Sequence, residues 1–206
     1  MTEELPPRKG PPPLPIEPVI VAVHGPLALK QRPAARSNYG GRRSASPTLI
    51  ALHCTDGHEG FSKDDDVAAM FANPHLIPER SAGYVVDSDS ATQCVSDDFI
   101  AWHCGRTGNL MALSVEFCGF AKQTRADWLD KLSLPMLNIG ARLVADLCVK
   151  HKLPVMLVNA EGLIHAQTGI TTHAFISQAF KQSIHTDPGP GFPMAAFLNA
   201  VGRAMP

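Results

Sequence analysis

Residues 113–118 read Leu113-Ser114-Val115-Glu116-Phe117-Cys118, and residues 155–158 read Val155-Met156-Leu157-Val158. Between them, Ala126 to Lys150 carries Leu137, Ala141, Val144, Ala145 and Cys148 at helical spacing. The first run alternates: Leu113, Val115 and Phe117 belong to one face of a strand, Ser114 and Glu116 to the other. The middle segment predicts a long helix, interrupted near Pro135. A helix of this length between two strands predicts an α/β fold, with a mixed central β-sheet flanked by helices.

Further elements extend the pattern on both sides. Thr48 to Cys54 reads as a buried strand and Asp64 to Phe71 as a short helix with an acidic start. Ala82 to Asp87 and Ala91 to Val95 read as strands joined by a tight turn through Ser88, Asp89 and Ser90. Pro193 to Arg203 reads as a terminal helix, and Val19 to Val23 as a short strand. Seven of the 18 prolines fall in the first 18 residues, which excludes a helix or central strand there. Lys30 to Arg43 is basic, and no acidic residue stands between Glu17 and Asp56. It reads as a solvated linker. The expected division is a Pro-rich tail and basic lead-in over residues 1–46, followed by a compact domain over 47–206.

Of 206 residues, 45% are hydrophobic and 18% charged, enough to build a sizeable core. The net charge of −1 argues against a general nucleic-acid binder, which needs a basic surplus. No apolar run reaches the roughly 18 residues of a membrane span. The start, Met1-Thr2-Glu3-Glu4-Leu5-Pro6-Pro7, has the form of no signal peptide. The expectation is a soluble monomer made in the cytoplasm, with no membrane insertion. Five cysteines without a CxxC pair read as reduced thiols. His53-Cys54 and His103-Cys104 are adjacent pairs, and adjacency on a strand sends the two side chains to opposite faces, which disfavours thiol catalysis.

Three stretches carry metal-binding residue types in constrained places: Leu52-His53-Cys54-Thr55, Thr171-Thr172-His173 in a predicted loop, and His185-Thr186-Asp187-Pro188-Gly189-Pro190. Two histidines and one carboxylate are a set that holds catalytic zinc while leaving the fourth position open. His58, five residues after His53, and His185, beside Asp187, compete for a place in that set.

In order along the chain, these stretches are joined by Ser81-Ala82-Gly83-Tyr84-Val85-Val86-Asp87, Ala101-Trp102-His103-Cys104-Gly105, Asn109 and Leu113-Ser114-Val115-Glu116-Phe117. From Pro47 to Val201 the pattern resembles the zinc-dependent N-acetylmuramoyl-L-alanine amidases shared by phage endolysins, cytoplasmic muropeptide amidases and animal peptidoglycan-recognition proteins. With the lead-in Arg36-Ser37-Asn38-Tyr39-Gly40-Gly41-Arg42-Arg43, it looks most like an endolysin from a phage of actinobacteria. The resemblance implies a peptidoglycan-recognition-protein-like amidase fold and peptidoglycan as the partner. It implies Zn²⁺ on His53, His173 and Asp187, with Glu116 and Tyr84 as the catalytic proton carriers. It places Trp102 and His103 in the substrate groove. His185 stands where many relatives have lysine, which exchanges a fixed cation for a group titrating near neutrality. The rival functions are a non-catalytic binding module of the same fold and a cytoplasmic recycling amidase.

Overall fold

A computed structural model describes residues 18–205. The Pro-rich segment 1–17, expected to be extended, lies outside the described residues. In chain order the elements are β1 (Leu29–Gln31), β2 (Tyr39–Arg42), β3 (Leu49–Cys54), α1 (Lys63–Phe71), β4 (Tyr84–Val86), β5 (Ala91–Gln93), β6 (Phe99–Ala101) and α2 (Arg106–Met111). There follow β7 (Ala112–Phe117), α3 (Arg125–Trp128), α4 (Ser133–His151), α5 (Ala160–Ile164), β8 (Gly169–Thr172), α6 (His173–Phe180) and α7 (Met194–Ala204).

Six strands form one mixed sheet in the order β1-β5-β4-β7-β3-β8. β4, β7, β3 and β8 are mutually parallel, whereas β5 runs antiparallel to β4 and parallel to β1. The strands β3 and β7 at its centre are covered on both sides, so all six residues of β3 are buried. Leu113, Val115 and Phe117 point to the side covered by α4 and α7, where the Phe117 and Phe197 rings meet edge to face at 5.5 Å. Leu49, Ala51 and Ala112 point the other way, into a smaller cluster with Leu163 of α5 and Ile176 of α6. Strand alternation therefore sends His53 and Glu116 to this second side. Their register reinforces it, because His53 and Glu116 are direct partners across the β3–β7 pair.

Several expectations are corrected here. Residues upstream of Pro47 are not a separate linker: β1 extends the main sheet, and β2 pairs with β6. The Arg43 guanidinium donates to the carbonyls of Asp97, Asn109, Leu110 and Ala112. The fully buried Asn38 amide donates to the carbonyls of Phe71 and Asn73, at 2.7 and 2.8 Å. Polar side chains that suggested solvation are satisfying backbone carbonyls. Asn38→Ala should consequently lower stability by roughly 1–3 kcal/mol, the cost of leaving buried groups unsatisfied, read as a lower melting temperature.

Val19–Val23 is extended but joins no sheet. Val21 and Val23 donate their N–H groups to the side chain and carbonyl of Asn138 in α4, and the alternate residues Ile20 and Ala22 are buried. Val155–Val158 is likewise no strand. It makes a single bridge, Leu157 to Ile170, because the chain turns tightly at Pro154, whose carbonyl accepts from Met156. The break in the predicted long helix falls at residues 129–132, and Pro135 lies in the first turn of α4, where its missing N–H costs nothing.

Candidate metal and catalytic centre

The site lies at the C-terminal end of the parallel strands. His53 is the fifth residue of β3. His173, expected in a loop, is instead the first residue of α6, at the β8–α6 junction, where Thr172 caps the helix by accepting from the Phe175 N–H. Asp187 follows the helix through a short loop, and its carbonyl accepts from the Ala174 N–H, which fastens it to the first turn of α6. The next turn needs a glycine: Gly189 has φ +88°, and a side chain there would run into the Ala121 carbonyl.

Both histidines present Nδ1 to one carboxylate. His53 Nδ1 is 3.0 Å from Asp187 Oδ2, and His173 Nδ1 is 3.1 Å from Asp187 Oδ1. The donor atoms of these three buried residues lie within 4.8 Å of one another. Two imidazole nitrogens and a carboxylate, converging with room beside them, fit an open zinc site in ligand type and number. His58 is not in this group; its ring packs against Phe120 at 5.4 Å. Nor is His185, which is two-thirds exposed, stacks on the His173 ring at 4.5 Å, and holds Nδ1 3.6 Å from Asp187 Oδ1.

Glu116 opens into the same cavity of about 740 Å³ as His53, His173 and Asp187, together with Trp102, His103 and His185. Its Oε2 is buried and has no hydrogen-bond partner among the described residues. Burial, aided by the charge of Asp187, pushes the Glu116 carboxyl up to about 8. Asp187 moves the opposite way. Although burial opposes it, hydrogen bonds from His173 and His53 hold its carboxyl well below the usual carboxylate range. Burial, with His53 and His173 alongside, pushes His103 well below the ordinary imidazole value, so its ring is neutral.

Tyr84 is not in the site, which corrects its expected proton-transfer role. In the β4–β7 register Tyr84 partners Val115 while Val85 partners Glu116, so the phenol points to the opposite face of the sheet. There its hydroxyl donates to Asp97 at 2.5 Å and accepts from Gln93. Asp97 also binds Lys150 and His151 at the end of α4. Tyr84→Phe should therefore lower the melting temperature, by about 1–2 kcal/mol of stability for a buried bond to a charged group, and leave kcat unchanged. A turnover loss at unchanged stability would return the tyrosine to the chemistry.

Ser183 also belongs to the site, since its hydroxyl lies 3.0 Å from His173 Nε2. No local pattern marks a serine ten residues after a histidine; only the α6 turn and its following loop bring the two together.

Residues 43–190 match the family described as N-acetylmuramoyl-L-alanine amidase. The chain belongs to that family. No curated protein is similar to it in sequence at a significant level. Among solved structures it is similar to the hydrolase AmiA of Staphylococcus aureus, at TM-score 0.66 and 15% identity over 89% of this chain and 88% of that one. The catalytic domain of XlyA matches with TM-score 0.62 and 16% identity, covering 85% of this chain and 100% of that one. An AmpD structure matches with TM-score 0.59 and 20% identity, covering 88% and 98%. At these identities the likeness establishes the fold alone, a mixed sheet flanked by helices.

Proposed function

We propose that this protein hydrolyses the amide between the lactyl group of N-acetylmuramic acid and L-alanine of the peptidoglycan stem peptide. The observation that carries the reading is the convergence of His53, His173 and Asp187 beside an unpartnered, buried Glu116, in a chain of the amidase family. His53, His173 and Asp187 would hold Zn²⁺, which when bound supplies a Lewis acid for the amide carbonyl and for water.

The remaining work falls to the chain. Glu116 takes a proton from the attacking water and passes it to the departing amine. A carboxyl raised by burial but facing a cation site is suited to both halves of that transfer. His185, exposed at the rim with its ring against His173, offers an N–H to the developing oxyanion. Trp102 lines the open cavity as an aromatic surface for the extended polymer. No described helix is long and apolar enough to cross a membrane.

Within this reaction class we assign the protein to wall lysis as an endolysin. Supporting this is the resemblance of the lead-in Arg36 to Arg43 to that of phage endolysins. The test is metal dependence of wall digestion. The purified protein should carry about one Zn²⁺ per chain, lose activity on chelation and regain it when zinc is restored. A metal-free preparation that digests walls at full rate would sink the reading.

A further inference from the structure

His53 has two ring nitrogens, and both are engaged. Nδ1 faces Asp187, while Nε2 lies 2.9 Å from Nδ1 of His103, with the two rings edge to face. Two ring nitrogens at that distance share one proton. Where His53 gives its Nδ1 lone pair to a cation, its proton stands on Nε2, and His103 Nδ1 must accept. His103 then carries its own proton on Nε2, the nitrogen that stands 3.8 Å from Cys104 Sγ.

We propose that His103 is a positioning residue for the metal centre: its Nδ1 accepts the His53 Nε2–H and fixes the tautomer and ring plane that aim His53 Nδ1 at the ion. The inference rests on the metal-centre reading above and gives His103 a different task from substrate contact. The backbone around it is built for the task, because Asn109 Oδ1 accepts from the N–H groups of both His103 and Cys104, at 2.9 and 2.8 Å. Ser183 completes the parallel on the second histidine. Its hydroxyl meets His173 Nε2 at 3.0 Å and is itself held by Ser177, so each histidine has its far nitrogen occupied and its near nitrogen turned to Asp187. Outer partners of this kind orient ligands and raise their basicity.

His53, His103 and Cys104 also have donor atoms within 4.8 Å of one another. That second grouping would need His53 Nε2 as a ligand and so would remove the hydrogen bond to His103. The two arrangements give different results.

The test measures zinc affinity by chelator competition in full-length wild type, His103→Ala and His103→Asn, with KM and kcat on peptidoglycan. His103→Ala should bind zinc about 10- to 100-fold more weakly, the usual loss for an outer-shell partner. His103→Asn, whose Oδ1 stands where Nδ1 stood and can only accept, should recover most of that affinity, and KM should barely change in either. Long-range ¹H–¹⁵N spectra of zinc-loaded wild type need no variant and should show the His103 proton on Nε2. Unchanged zinc affinity with a raised KM would overturn the positioning role alone. So would a His103 proton on Nδ1, or a second zinc lost in Cys104→Ser. Wild type that binds no zinc would overturn the metal-centre reading with it.

Discussion

Glu116→Gln should keep about one zinc per chain and lower turnover by roughly 10²- to 10⁴-fold, the range for removing a general acid–base group. Glutamine preserves the shape of the side chain on β7 and its place opposite His53, so the metal donors are undisturbed. What it removes is a carboxylate whose buried Oε2 has no hydrogen-bond partner among the described residues. The substitution also discharges a buried acid whose ionisation burial opposes, so stability should not fall. Loss of activity with intact zinc and an intact melting curve is therefore the expected combination. Near-normal turnover would move the proton transfer to another group, and Tyr84 is not available for it, since its hydroxyl is committed to Asp97 across the sheet.

Asp187→Ala and His173→Ala should each lose zinc and activity together, a fall in metal content from about one ion per chain to a small fraction of that. Asp187 bridges the two histidines through its two oxygens, so its loss also leaves His53 Nδ1 and His173 Nδ1 without a common acceptor. The metal-free variants should melt at lower temperature than zinc-loaded wild type, because an ion bound only by the folded state stabilises it. His58→Ala is the companion measurement. Its ring lines the cavity against Phe120 and lies outside the donor cluster, so zinc content should hold. Metal analysis of the three variants checks the assignment; zinc lost from His58→Ala and kept in Asp187→Ala would redraw the site.

The strands and helices with a long, regular pattern were legible in the sequence. β3, β7, α4 and α7 lie within a few residues of their expected limits, because β3 carries a continuous apolar run and the others an apolar stripe that the sequence repeats. β8 was not: Gly169-Ile170-Thr171-Thr172 is four residues long and covered on both sides, so it shows no alternation. Its neighbour Val155–Val158 has the composition of a strand but only one bridge to pair it. Metal-binding residue types were readable in three constrained stretches, but the choice of His53, His173 and Asp187 over His58 and His185 rests on the family resemblance. The placement of Tyr84 was not readable, since the face it takes depends on a register against β7 that no local pattern encodes. Asn38 and Arg43 were hidden for a related reason: the carbonyls they satisfy come from segments 33 to 69 residues away in the chain.

The central claim is the bond that is cut, and mass spectrometry of purified peptidoglycan digested by the zinc-loaded protein tests it most directly. Cleavage at the lactyl–alanine amide predicts free stem peptides with an L-alanine amino terminus, together with glycan strands of undiminished length. New reducing sugar ends, or opened cross-links with the stems still attached to the glycan, would contradict it.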